Sequence, residues 1–280
     1  MLLTPSEIAR KSGTNFYYSF LLLPKAKREA IYVLYSFCRV VDDCVDEADG
    51  GGEAALDHWQ GEIQGAFSGS PKTPLGEDLK RVLGSFPMPR ASFEEIVMGC
   101  RMDLTKTRYE TEKDLEVYCR RVASAVGLAA IEIFGYEDPG TREYAASLGI
   151  ALQLTNILRD IGADARAGRI YVPQQDLARF QVSPEALLLF AKGEGKPPSG
   201  LEPFLAYFAE RARAREVEAA ELLPPRDRRS MVSAEVMRVT YRALLEEVVR
   251  RGFPFFGEKV RLSTARKMGL AVSTLVRCSL

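Results

Sequence analysis

The chain has 280 residues, enough for one large domain or two small ones. Its 38 basic and 38 acidic residues cancel, which leaves no overall basic field to hold nucleic acid, so any phosphate recognition must be local and metal-assisted. No run of about 18 apolar residues occurs and the start, MLLTPSEIARK, has no signal-peptide pattern, so no membrane span is expected and the protein reads as cytoplasmic.

Strand signals are scarce and 3.6-residue periodicity is widespread, which predicts an all-α fold. A helix follows Pro24, from Lys25 to Glu47, and stops at Asp49-Gly50-Gly51-Gly52, a glycine run that reads as a mobile loop. A second spans 54–67 and closes in Ser68-Gly69-Ser70-Pro71. Helices are expected at 75–84, 92–104 and 112–134, the last with Thr111 or Glu112 near its start and Gly135 at its end. A long helix over 139–162 ends in the Gly162 to Gly168 region. After a short helix opened by Ser183-Pro184 and a Gly/Pro loop at 193–200, helices follow at 201–223, 227–251 and 258–278. With no low-complexity linker and no repeat, residues 1–280 read as a single domain, a helical bundle around a central apolar cavity.

Two acidic stretches stand out, Asp42-Asp43-Cys44-Val45-Asp46 and Asn156-Ile157-Leu158-Arg159-Asp160-Ile161-Gly162-Ala163-Asp164. On a helix, residues four apart share a face. Tyr35, Arg39, Asp42 and Asp46 form one such stripe, and Gln153, Asn156, Asp160 and Asp164 form the other. Like charges at this spacing destabilise a bare helix by a few tenths of a kcal/mol, roughly, and a bound cation reverses the sign. Both stretches lie among apolar neighbours, so neither reads as an ordinary solvated face. Oxygen donors without His or Cys suit a hard ion such as Mg²⁺, with waters and phosphate oxygens completing its shell. Arg39, Arg159 and Arg169 are placed to meet the anion.

Other chemistries find no support. The sole histidine, His58, sits in a polar helix, and there is no nucleophile elbow, P-loop or dinucleotide fingerprint. The five cysteines, Cys38, Cys44, Cys100, Cys119 and Cys278, lack zinc-like pairing and read as reduced and mostly buried.

The motifs Tyr35-Ser36-Phe37-Cys38-Arg39, Asp42 to Asp46, and Gln153 to Asp164 continuing through Gly168-Arg169-Ile170-Tyr171-Val172-Pro173 resemble the squalene/phytoene synthase family over nearly the whole chain. Asn15-Phe16-Tyr17-Tyr18-Ser19-Phe20 is most similar to the bacterial presqualene diphosphate synthases of hopanoid pathways. The resemblance implies an isoprenoid-synthase-type bundle and a Mg²⁺-dependent (alternatively Mn²⁺-dependent) joining of two farnesyl diphosphates, without NADPH. It implies that Asp42, Asp46, Asn156, Asp160 and Asp164 hold the metal, with Asp43 in support. Ser19, Tyr35, Arg39, Gln153, Arg159, Arg169 and Lys259 would bind the diphosphates, and Tyr171 and Tyr241 would stand at the reacting centre. Two prenyl tails need an apolar tunnel, for which Phe16, Phe20, Leu23, Val122, Ala125, Val126, Leu128 and Leu152 are candidates. Expected partners are farnesyl diphosphate, the inner membrane face as a peripheral contact, and downstream squalene-pathway enzymes. Phytoene synthase, NADPH-dependent squalene synthase and a non-catalytic relative are the alternatives.

Overall fold

A computed structural model describes residues 4–7, 16–46 and 51–279, the side chains of Asp46 and Ser279 excepted. Residues 47–50, where the helix-ending loop was expected to begin, lie outside the described residues. A short turn of helix, α1 (Tyr17–Phe20), precedes α2 (Lys25–Asp46). The helices α3 (Gly52–Ser68), α4 (Pro74–Leu83) and α5 (Arg90–Thr105) follow.

Local chemistry accounts for several ends. Thr73 accepts the Gly76 N–H ahead of Pro74, Thr111 and Asp114 form a capping box, and Ser183 caps the helix opened by Pro184. Gly69 closes α3 with φ of 94°, a conformation that favours glycine.

The single helix expected over 112–134 is interrupted. It consists of α6 (Glu112–Cys119), a π turn over Arg120–Ser124, and α7 (Ala125–Phe134). The cause is tertiary: two glycines on neighbouring helices let the widened turn come close. A Cβ on Gly99 would lie 2.6 Å from Val122 Cγ1, and one on Gly149 would lie 2.7 Å from the Ser124 backbone. Ser124 Oγ also donates to the Ala146 carbonyl at 2.6 Å.

The central helix α8 (Thr141–Arg166) outruns its expected end at 162. Gly162 is no stop but a point of close approach, where a Cβ would sit 2.1 Å from the Phe255 carbonyl oxygen. Beyond it come α9 (Gln174–Arg179), unforeseen in the sequence, α10 (Pro184–Ala191) and α11 (Leu201–Glu221). The helix expected from 227 begins later, as α12 (Val232–Arg250), because Asp227 is drawn into a tertiary contact. Its buried carboxylate accepts the N–H groups of Glu137 and Asp138 and the Thr141 hydroxyl, pinning the α7–α8 connection. Last comes α13 (Thr264–Ser279), starting after an irregular segment that runs across α8.

Among the described residues the only β pairing is a bridge between Arg108 and Ile170, so the fold is all-α, as expected. One buried cluster centres on α2, α3, α5 and α7, the other on the second half of α8 with α11 and α12. Phe16 and Leu152 pack against both.

Candidate active site

Between the two clusters lies a cavity of about 950 Å³. One wall is a stripe of α2, from Ile31 and Leu34 through Tyr35 and Cys38 to Arg39 and Asp42. The facing wall is α8, which runs from Tyr144, Ala145 and Leu148 through Leu152 and Gln153 to Asn156, Asp160 and Asp164. Each stripe recurs every three or four residues and changes from apolar to polar along its helix. The polar ends meet at the mouth, joined there by Arg159, Arg169, Lys259 and Arg261.

The structure thus brings together Tyr35, Arg39, Asp42, Gln153, Asn156, Arg159, Asp160, Asp164, Arg169, Tyr171, Tyr241 and Lys259 on one cavity. Asp43 is absent from the lining and ion-pairs with Arg39. The side chain of Asp46 lies outside the described residues. Ser19 does not line the cavity; it is fully buried, and its hydroxyl donates to the Phe16 carbonyl at 2.6 Å. Of the tunnel candidates, Phe16, Phe20, Val122, Val126 and Leu152 face the cavity, whereas Leu23, Ala125 and Leu128 are ordinary core. His58 is exposed.

Cations sit directly on the acids. Arg39 pairs with Asp42 at 3.0 Å. Arg159 grips Asp160 with two hydrogen bonds, of 2.8 and 2.6 Å, and Lys259 reaches the same carboxylate at 2.7 Å. Burial raises the Asp160 carboxyl, but the hydrogen bonds and charge of Arg159, then of Lys259, outweigh it and hold it below the usual carboxylate range. Tyr241 is buried and stacks on Phe16 with ring centroids 5.3 Å apart.

The donor set fits a hard cation. Asn156 Oδ1 is buried without a hydrogen-bond partner, and Asn156 lines the cavity together with Asp160 on its own helix and Asp42 on α2. Among the described residues no three acidic, His or Cys side chains converge closely enough to cage an ion. An ion here would therefore take oxygens from water and a bound anion as well, the usual habit of Mg²⁺.

One cluster went unassigned in the sequence. Asp103 on α5 accepts the hydroxyls of Tyr171 and Tyr118, each at 2.9 Å, and Arg169 lies 3.4 Å from the Tyr171 hydroxyl. Tyr109, Tyr118 and Tyr171 pack ring to ring with centroids 5.0 to 5.8 Å apart. A signal did exist: Ile96, Cys100 and Asp103 follow i, i+4, i+7 spacing, a lone acid on an apolar stripe, and all three line the cavity.

Burial pushes the Asp103 carboxyl up to about 6, only partly offset by the two tyrosine hydrogen bonds and Arg169. Its neutral form is therefore favoured by folding, and the stability this supplies disappears as pH rises through about 6. Asp103→Asn, which never ionises, should melt higher than the unsubstituted protein at pH 8. The gain should vanish by pH 4, a trend that thermal melts across the pH range would read.

Residues 9–266 match the squalene/phytoene synthase family model. The chain is 35% identical to a phytoene synthase of Arthrospira platensis, over 94% of this chain and 88% of that one. It is also 35% identical to the presqualene diphosphate synthase of Rhodopseudomonas palustris, over 95% and 96% of the respective chains. A dehydrosqualene synthase crystallised with a ligand superposes with a TM-score of 0.86 at 31% identity, covering 98% of this chain and 95% of that one. The fold is that of an isoprenoid-synthase-type helical protein. The chain belongs to the squalene/phytoene synthase family, prenyltransferases of isoprenoid biosynthesis.

Proposed function

We propose that the protein condenses two molecules of farnesyl diphosphate head to head into presqualene diphosphate, releasing one diphosphate. The observation that carries this reading is the single cavity, charged at its mouth by both acidic stretches and apolar within. The near-complete length match to the Rhodopseudomonas palustris presqualene diphosphate synthase supports the shorter substrate.

In this reading Asp42, Asn156, Asp160 and Asp164, with Asp46, hold Mg²⁺, which when bound neutralises charge on the departing diphosphate. Arg39, Arg159 and Lys259 exchange their carboxylate partners for diphosphate oxygens, Arg169 beside Tyr171 joins them, and Tyr35 and Gln153 order that mouth. The donor's C1–oxygen bond breaks with its electron pair leaving on the diphosphate, and an allylic cation remains. The C2–C3 double bond of the second molecule attacks C1, and a proton lost to the released diphosphate closes the cyclopropane ring. Tyr241 and Tyr171 offer aromatic surface to the cation, and the apolar inner walls keep water from it.

Among the described residues no helix is long and apolar enough to cross a membrane. The exposed stripe Met268, Val272, Leu275 and Val276 on α13, near exposed Arg266 and Arg277, supports peripheral contact with a lipid surface. A product released there would be handed to downstream squalene-pathway enzymes.

The equally similar phytoene synthase of Arthrospira platensis favours a second reading, condensation of two geranylgeranyl diphosphates. Purified protein with Mg²⁺ and each diphosphate, with and without NADPH, separates the two by lipid analysis. Presqualene diphosphate should accumulate even with NADPH present. C40 phytoene from the longer substrate would replace this reading with the second, and squalene formed only with NADPH would make the enzyme reductive.

A further inference from the structure

We propose that Tyr144 sets the longest prenyl chain that the cavity accepts, an inference that rests on the prenyl diphosphate reading of the same site. Tyr144 precedes Asp160 by sixteen residues on α8, about 24 Å along the axis at a rise of ~1.5 Å per residue. Other walls contribute to the same apolar end. Ile31 lies at the apolar end of the α2 stripe, and Ile131 and Phe134 lie at the far end of α7. Lys27 on α2 donates to the Phe134 carbonyl, tying those two ends together, and Ala234 on α12 completes the lining.

What lies behind the ring makes it a stop and not another wall. Tyr144 is fully buried, and its hydroxyl donates to Glu235 at 3.0 Å. Arg238 holds Glu235 through two hydrogen bonds, of 2.9 and 2.8 Å, and also pairs with the buried Glu216, which takes Arg242 at 2.8 Å. A hydrocarbon tail pushed past the ring would have to enter this ion-pair network and strip its charges of partners, which is strongly unfavourable. The ring is thus the last apolar surface before a charged layer, and it cannot tilt away without breaking its hydrogen bond.

The test measures kcat/KM of the Mg²⁺-loaded enzyme for C15, C20 and C25 allylic diphosphates. Whichever length the unsubstituted protein prefers, Tyr144→Ala should raise the ratio for the next longer homologue about tenfold or more, the scale on which apolar pockets discriminate chain length. Tyr144→Leu should shift it the same way, and serves should the alanine variant fold poorly. Ala234→Leu, which adds volume at the floor, should move the ratio in the opposite direction. Tyr144→Phe keeps the ring and should leave the ratio nearly unchanged while lowering the melting temperature. An unaltered ratio in an active Tyr144→Ala or Tyr144→Leu enzyme overturns the proposal. Absence of turnover by the unsubstituted protein with any of the three diphosphates would instead overturn the reading on which it rests.

Discussion

Asp160→Asn is expected to lower turnover about a thousandfold or more while the far-ultraviolet circular dichroism stays unchanged, the scale seen when one preorganised charge-stabilising group is lost. Three features concentrate the effect at this residue. It lines the same cavity as Asn156, whose buried Oδ1 has no hydrogen-bond partner. It is the shared partner of Arg159 and Lys259, so its loss disturbs acid and base together. And it stays ionised, since its cations hold it below the usual carboxylate range against the pull of burial. The amide keeps the shape and one acceptor for Arg159, so folding survives while the charge is gone. The same pairing has a linkage signature: the stability it supplies is present above the unfolded carboxylate value of about 3.9 and lost as pH falls through the lower folded one. Near-normal product formation by a correctly folded variant would remove α8 from the metal-binding wall.

Gly162→Ala should destabilise the protein, against the ordinary rule. In most helix interiors this change stabilises by about 0.5–1 kcal/mol, because glycine loses more chain entropy on folding. Here the new methyl would meet the Phe255 carbonyl oxygen at 2.1 Å, and Arg166 Nη1 donates to that same oxygen at 2.9 Å. Relief requires the irregular segment to lift from α8. Overpacking of this kind costs about 1–3 kcal/mol, and each kcal/mol shifts the melting temperature by roughly 2–4 °C in a protein of this size. The lifted segment carries Lys259, so KM for the diphosphate should rise as well. A melting temperature at or above that of the unsubstituted protein would show that the close approach is not tight.

The helices and both acidic faces were legible in the sequence because each depends on local spacing, 3.6-residue periodicity for the one and i, i+4 acids for the other. The misses, Ser19 apart, have a tertiary cause. Gly162 reads as a stop from sequence, since nothing local announces the carbonyl that will press on it. The hydroxyl of Ser19 turned inward on its own turn. Cavity lining and core have the same apolar periodicity, so Val126 could not be told from Ala125, or Tyr144 from any buried aromatic. Asp103 went unassigned although its place on an apolar stripe was legible, because the tyrosine hydroxyls it accepts come from other parts of the chain.

The π turn at Arg120–Ser124 amounts to one extra residue threaded into an otherwise regular helix. Because each residue turns a helix by about 100°, that insertion sets the rotational phase of everything downstream. It aims Val126, Ala130 and Phe134 at the cavity and leaves Ala125, Ala129 and Ile133 in the core. A change of one residue in length within this turn would swap lining for core along the helix. The turn therefore acts as a phase marker, and its length, more than its sequence, is what the cavity requires.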